Sequence, residues 1–287
     1  MEKGGHMRTY NLVEYFLFPP TSLQEEKLRK TIQGKSILIT GASSGIGEQL
    51  TIFLSQLNIE LQLILVARRK EKLEALQQTL QSKKVTIHII RADLRVQEDM
   101  ETLLKFLHQL PVGLDIVVNN AGLSINRPIL QSMNRFHDFT RTMAINYFAP
   151  VQLLLSVTPL LQLNHGHVIN ISTINTLLAP IPNWAAYQAS KSAFDVWLQS
   201  ATPELKKIGI TTTSIYLPLV KTPMIEPTEA YKNMPAMTAE HVAKIISRSM
   251  YTKQQRFKPW WLLFGEISSV LFKRIIDYFL YKNMLRR

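Results

Sequence analysis

The sequence predicts a doubly wound α/β domain, a parallel sheet covered by helices on both faces. Three observations predict it. Short apolar runs without alternation recur along the chain, amphipathic stretches separate them, and the first run passes into a glycine-rich turn that opens a helix. Unalternating strands of this kind belong to a sheet buried on both sides. Right-handed crossovers then set the ligand crevice at the carboxyl ends of the strands.

The elements follow in order. Residues 35–40 form the first strand and 45–57 a helix. Residues 61–67 make a second buried strand, and 70–80 a charged amphipathic helix. The β-branched run 85–90 is the third strand, and 96–110 returns to helical spacing. A fourth strand covers 114–118. Residues 135–163 read as a long helical stretch, with breaks expected near Pro150 and Pro159. The fifth strand is 167–171, followed by a helix over 184–207 and a sixth strand over 210–217. A seventh strand is hard to find, and 254–258 is the weak candidate.

Composition narrows the function classes. The apolar share of 46% suits a globular core, and the absence of cysteine excludes disulfides, zinc-thiolate sites and thiol catalysis. A cysteine-free chain is at ease in a reducing cytosol, where it is expected. The seven histidines lack paired ligand spacing, so no metal site is expected, and His137 within a helix reads as structural. The formal charge is +12, and residues 253–287 carry eight basic and two acidic side chains, a net +6. No recognised reader motif accompanies that tail, so nucleic acid is not expected. The same stretch holds Trp260, Trp261, Leu262, Leu263, Phe264, Ile275 and Phe279, which fits an amphipathic helix on an anionic membrane surface. A helix docked on the subunit or on a neighbour in an oligomer fits equally well. Residues 15–20 are too short for a signal core or a span and end in Pro-Pro. Met1 to Met7, ending Gly-Gly-His-Met, read as an artificial leader ahead of a start at Met7. The resulting partition is an extension over 1–34, one domain over 35–252, and a basic amphipathic extension over 253–287.

The segment Thr40 to Gly47, TGASSGIG, follows a strand and opens a helix. Gly41 permits the tight turn, Gly45 lets backbone approach a pyrophosphate, and Gly47 lets helix and strand pack closely. Ser43, Ser44 and Ile46 complete the loop, and the helix amino end offers N–H groups and positive dipole to phosphate. The ordinary strand-to-helix turn is the competing reading. Cofactor choice is read at the end of the second strand, where an acid would bind the ribose hydroxyls of NAD and Arg accommodates the 2′-phosphate of NADP. Here Arg68 and Arg69 follow Ala67 with no acid before Glu71, which favours NADP(H) over a merely solvated helix start.

Tyr187 and Lys191 stand four apart on a predicted helix and project from one face. A phenol titrates near ~10, and a nearby ammonium favours the phenolate and draws it toward the working range. Carbonyl reduction needs such a proton donor, because oxygen gains a proton while carbon gains hydride.

TGASSGIG, Asp93, NNAG at Asn119 to Gly122, Asn146, Ser172-Thr173 and YQASK at Tyr187 to Lys191 stand in the order of the classical short-chain dehydrogenase/reductase family, which the chain resembles over residues 35–222. The resemblance implies a single Rossmann-like domain in a homodimer or homotetramer. It also implies that Asp93, with Leu94, contacts adenine and that Asn119, Ala121 and Gly122 line the cofactor groove. Pro218, Val220 and Thr222 would complete that site, Asn146 would anchor a proton relay through Lys191, and Lys191 would hold the nicotinamide ribose. The family's catalytic hydroxyl stands thirteen residues before the Tyr, whereas Thr173 stands fourteen before Tyr187. Aligning on Asn170-Ile171 puts Thr173 in the catalytic slot, with one residue inserted within 174–186; Ser172 is the alternative.

A narrower resemblance, to bacterial fatty acyl-CoA reductases of this family, rests on RFHDF at Arg135 to Phe139, on Asn146-Tyr147-Phe148, and on PLVKTPMI at Pro218 to Ile225 with Pro227-Thr228. Asn126 departs from the Arg usual in that subgroup. Met234 and Met237 read either as part of a substrate lid or as core. The expectation is an NADPH-dependent oxidoreductase that reduces a carbonyl or acyl thioester of a lipophilic substrate, cytoplasmic or peripheral at a membrane. Its alternatives are a reductase of a 3-oxoacyl thioester, ketone or secondary alcohol, and a non-catalytic NADP-binding sensor.

Overall fold

A computed structural model of the chain describes residues 10–226, 228, 231, 233–275, 278 and 282; Met1 to Met7, Pro227 and Phe279 lie outside the described residues. The strands are β1 Lys35–Thr40, β2 Leu61–Ala67, β3 Val85–Arg91, β4 Ile116–Asn119, β5 His167–Thr173, β6 Thr211–Leu217, β7 Val220–Lys221, β8 Met237–Thr238 and β9 Arg256–Phe257. The helices are α1 Leu12–Leu17, α2 Glu25–Ile32, α3 Gly45–Ser55, α4 Lys70–Leu80, α5 Gln97–His108, α6 Phe136–Met143, α7 Ala149–Leu163, α8 Ala185–Lys207, α9 Ala239–Thr252 and α10 Leu262–Leu271.

Seven of the strands form one sheet in the order β3-β2-β1-β4-β5-β6-β9, every neighbouring pair parallel. This is the doubly wound arrangement, with its reversal between β1 and β4. Successive strand side chains point to opposite faces, so each strand feeds two cores. Ile37, Ile39, Leu63 and Leu65 pack with α3 and α9 through Leu50, Leu54, Val242 and Ile246. Leu38, Ile64 and Val66 pack on the other face with α5, α7 and α8 through Leu103, Leu107, Leu154, Val157 and Phe194. Burial of each such side chain stabilises by about 1.5–3 kcal/mol, and both faces collect it.

The weak seventh strand is present, reduced to Arg256–Phe257 beside β6. The long helical stretch over Phe136–Leu163 is continuous rather than broken at its prolines. Pro150 directly follows a π turn at Ala144–Phe148 that joins α6 to α7, so the continuous helix already departs from regular i→i−4 bonding where the proline N–H is missing. By length and composition alone that helix could cross a membrane, but Leu153, Leu154, Val157 and Leu161 are buried against the sheet.

Packing crosses both boundaries drawn from the sequence. Phe18, Leu28 and Ile32 of the N-terminal extension are buried in the same core as β1, and β9 of the C-terminal extension completes the sheet. Substituting Leu28→Ala should therefore lower the stability of the whole domain by about 2–5 kcal/mol in one cooperative transition. Urea melts followed by far-UV circular dichroism and tryptophan fluorescence check this. An unchanged midpoint would mean that the extension is only appended.

Candidate active site

The crevice at the carboxyl ends of β1, β4, β5 and β6 opens into a cavity of about 640 Å³. Its first wall is the glycine loop. Gly41 and Gly45 stand at φ +69° and +58°, a region that costs glycine nothing. At Gly47 the constraint is space, since a Cβ there would lie 2.5 Å from the Gly41 carbonyl oxygen. Helix α3 begins at Ser44, whose side chain makes no capping hydrogen bond, so N–H groups of the first turn face the crevice unclaimed by a cap. That cradle fits a phosphate.

The two arginines after β2 separate in role. Arg69 folds over the glycine loop, its Nη2 donating to Ser43 Oγ at 3.1 Å and Ser44 Oγ at 2.7 Å. Arg68 is exposed and near enough to Asp93 to lower its pKa, although the larger cause is Arg95, hydrogen-bonded to that carboxylate at 2.6 and 2.9 Å. Arg95 lines the cavity and was missed by sequence reasoning; only its spacing of two from Asp93 hinted at it. Ser43, Ser44, Ile46, Leu94, Ala121, Gly122, Pro218, Val220 and Thr222 also line the cavity.

Asn119 does not line the groove. Its side chain is buried in the sheet and donates to Asn170 Oδ1 at 3.1 Å, because alternation turns it away from the crevice. Its neighbour Asn120 faces the crevice instead, donating from Nδ2 to the Thr40 carbonyl at 2.9 Å.

Beyond the cradle lies the reactive corner. Tyr187 and Lys191 lie one turn apart on α8, both in the cavity wall. Lys191 Nζ donates to the Ile171 carbonyl at 3.1 Å. Burial lowers its pKa to about 8 against the opposing pull of Asp195. Burial also pushes the Tyr187 phenol up to about 12, with the Thr173 hydroxyl beside it drawing it partly back. The expectation that the phenol is drawn toward neutrality is thus corrected, since burial dominates and only Thr173 opposes it. At neutral pH the phenol keeps its proton.

Of the two candidate hydroxyls, Thr173 is the one near enough to Tyr187 to influence its ionisation, whereas Ser172 Oγ lies 3.5 Å from Thr176 Oγ1. The loop 174–186 is tied down by Gln188, which donates to the Asn175 carbonyl at 2.6 Å and accepts from Ile181 N at 3.1 Å. Asn146 sits in the π turn, fully engaged. Its Oδ1 accepts from Leu123 N at 2.9 Å, and its Nδ2 donates to the Leu123 carbonyl and to Ser190 Oγ. It fixes the backbone next to Gly122 without itself lining the cavity.

The far end of the cavity is apolar. Leu178, Ile181, Met224, Ile225 and Met234 line it, with Trp184 stacked on Tyr231 at 5.8 Å between ring centroids. Met234 and Met237 divide between the two readings: Met234 lines the cavity and Met237 is buried in the core. Trp184 and Tyr231 carried no recognisable signal in the sequence. No group of three or more potential ligands for a metal occurs among the described residues, and His137 is an exposed partner of Asp138.

A family model for short chain dehydrogenases matches residues 35–233. The chain belongs to that family. It is therefore an oxidoreductase fold with the family's Tyr and Lys at hand. It is 37% identical over 248 residues to a fatty acyl-CoA reductase of Mycobacterium tuberculosis, covering 84% of this chain and 83% of the relative. It is 39% identical over 233 residues to a fatty acyl-CoA reductase of Acinetobacter baylyi, covering 81% and 78%. A short chain dehydrogenase from Burkholderia cenocepacia, solved with NADP, superposes with a TM-score of 0.72 at 19% identity, covering 86% of this chain and 98% of that one. One from Sphingobium yanoikuyae, solved with NADPH, gives 0.70 at 24% identity, covering 77% and 86%. These two structural likenesses establish the fold alone.

Proposed function

We propose that the protein is an NADPH-dependent reductase of long-chain acyl thioesters. The observation that carries this reading is the continuity of one cavity, from a phosphate cradle flanked by Arg68 and Arg69, past Tyr187, to an apolar end. Both fatty acyl-CoA reductase relatives span most of the chain, which favours the acyl thioester over a ketone or secondary alcohol.

When bound, NADPH supplies a hydride to the carbonyl carbon of the substrate. Gly41, Ser43, Ser44, Gly45 and Ile46 would hold its phosphates, with Gly47 keeping the loop close. Arg69 and Arg68 would take the 2′-phosphate, and Asp93, Leu94, Ala121, Gly122, Pro218, Val220 and Thr222 the rest. Tyr187 and Thr173 hydrogen-bond the substrate carbonyl oxygen, and Tyr187 delivers its proton there as negative charge develops. Lys191 holds positive charge beside the phenol, and Asn146 positions the Gly122–Leu123 backbone around it. The C–S bond of the resulting hemithioacetal then breaks: the sulfur departs with the bonding pair and takes up a proton to leave as the thiol, and the hydroxyl gives up its proton as C=O re-forms, leaving an aldehyde.

An NADPH-oxidation screen across acyl-CoA chain lengths, 3-oxoacyl thioesters, ketones and aldehydes tests the reading. Turnover should be confined to long acyl thioesters and should fall by at least about 10²-fold in Tyr187→Phe with NADPH binding intact. Thr173→Ala should lose far more turnover than Ser172→Ala. A Phe variant within a few-fold of the parent, or a preference for ketones, would overturn it.

The ionisation of the pair sets the pH profile. Lys191 must carry its charge, so reduction is expected below pH about 8 and declines as pH rises through that value, while Tyr187 stays protonated to about 12. Initial rates at saturating NADPH between pH 6 and pH 10 measure this. A rate that holds level to pH 10 would contradict it.

We further propose that the protein docks on anionic membrane surfaces. Support comes from α10, which buries Leu262 and leaves Leu263, Phe264, Ile267, Val270 and Leu271 exposed within the basic tail. Helix α1 adds exposed Leu12, Val13 and Phe16, and Phe16 meets Trp260 edge to face at 5.3 Å. The patch adjoins the cavity, because Leu178 of its wall packs over Gly265 of α10. Apolar burial and basic charge are the two components of interfacial binding. Full-length protein should co-sediment with anionic vesicles, and a variant with Phe16, Phe264 and Leu271 changed to Ser should not. Equal recovery of both in the supernatant at low salt would reject docking.

A further inference from the structure

The family match begins at residue 35, yet α1, which precedes it, contacts Lys221 and Ala236 through Glu14. Helix α1 is apolar apart from Glu14, and Glu14 is the one member of it that is buried, 4% exposed. A carboxylate in that position is costly unless it is fully matched. Its Oε1 lies 2.5 Å from Lys221 Nζ and accepts from Ala236 N at 3.2 Å. Its Oε2 accepts from Asn11 N at 3.2 Å, and the Asn11 side chain returns the bond to Glu14 N at 2.8 Å, so the helix start is locked as well. Burial would raise the Glu14 carboxyl, but the Lys221 ammonium and these two N–H donors outweigh it and hold it below its ordinary value.

The two groups that share Oε1 are the ends of one segment. Lys221 is in β7 and Ala236 immediately precedes β8, and the two short strands pair in parallel, Val220 to Met237 and Lys221 to Thr238. Between them lie Met224, Ile225, Tyr231 and Met234, which line the apolar end of the cavity. Tyr10 fastens the same place. Its hydroxyl accepts from Thr238 N at 3.0 Å and lies 2.8 Å from His241 Nδ1, and the other ring nitrogen of His241 is 2.9 Å from Thr21 Oγ1.

We infer that Glu14 is a positioning residue for substrate: one carboxylate oxygen, supplied from outside the family domain, pins both roots of the 221–236 segment and so sets the apolar wall against which the substrate is held. Glu14 does not line the cavity. Its effect passes through Lys221 and Ala236 to Met224, Ile225, Tyr231 and Met234.

Glu14→Gln keeps an acceptor for Ala236 N and removes the charge that holds Lys221, and Lys221→Met removes the same pair from the other side. The first readout needs no substrate. Limited digestion with a protease that cuts after glutamate should cleave the chain after Glu229 about tenfold faster in either variant, at a temperature well below unfolding, the bond after Glu226 being blocked by Pro227. The second readout rests on the acyl thioester reading: KM for the best acyl-CoA should rise about tenfold while kcat stays within about twofold and the NADPH dissociation constant is unchanged. The double variant should be no worse than either single one. Digestion as slow as in the parent would overturn the inference. So would faster digestion with an unaltered KM, or parallel losses in KM, NADPH binding and melting temperature, which describe a merely structural anchor. If the parent turns over no acyl-CoA, the proposed function fails, and digestion, with KM for whichever substrate the screen finds, decides the role of Glu14.

Discussion

The crevice depends on how closely the ends of β1 and β4 are held where the strand order reverses. One hydroxyl does most of this: Thr40 Oγ1 accepts from the backbone N–H of Asn120 and of Ala121, each at 3.0 Å. Asn120 closes the ring by donating from its side chain back to the Thr40 carbonyl. Two strands that would otherwise diverge are thereby tied at the point where a helix must start on one and a groove must open along the other. The glycine loop starts from that knot, since Asn120 Nδ2 also donates to the Gly41 carbonyl at 3.3 Å.

The chemistry of the reactive corner follows from dryness. Burial works in opposite directions on the two groups of the Tyr187–Lys191 pair, raising the phenol and lowering the amine, and in each case it favours the neutral form. The phenol therefore holds its proton at neutral pH, while the Lys191 ammonium is the more readily deprotonated of the two. Thr173 pulls the other way, because its hydroxyl eases the phenol toward ionisation.

Much of this was legible in the sequence, and for physical reasons. Residues 61–67 and 167–171 read as strands because a sheet covered on both faces demands apolar residues without alternation. The glycine loop read clearly because its geometry admits few residues. Three kinds of feature did not read. Helix α9 presents an ordinary amphipathic pattern, and α1 lies in a segment whose apolar residues face outward, so its one buried residue is an acid. Asn119 and Asn120 are chemically identical, and only strand alternation decides which of them faces the crevice. Trp184 and Tyr231 are 47 positions apart and meet only through the fold. Aligning on Asn170-Ile171 favours Thr173 over Ser172, but sequence spacing alone leaves both hydroxyls in play, because they are adjacent on one strand.

The contact between Leu178 and Gly265 has a geometric consequence. A Cβ at position 265 would lie 3.3 Å from the Leu178 Cδ2 carbon, within the range where the neighbour has to yield. Leu178 has the cavity on its other side, so a larger side chain at 265 drives it inward. The depth of the apolar chamber is therefore adjustable from a helix that contributes nothing to the chemistry. Substitutions there would act as a stop moved along a barrel, and the length of molecule admitted could change while Tyr187 and Lys191 stayed where they are.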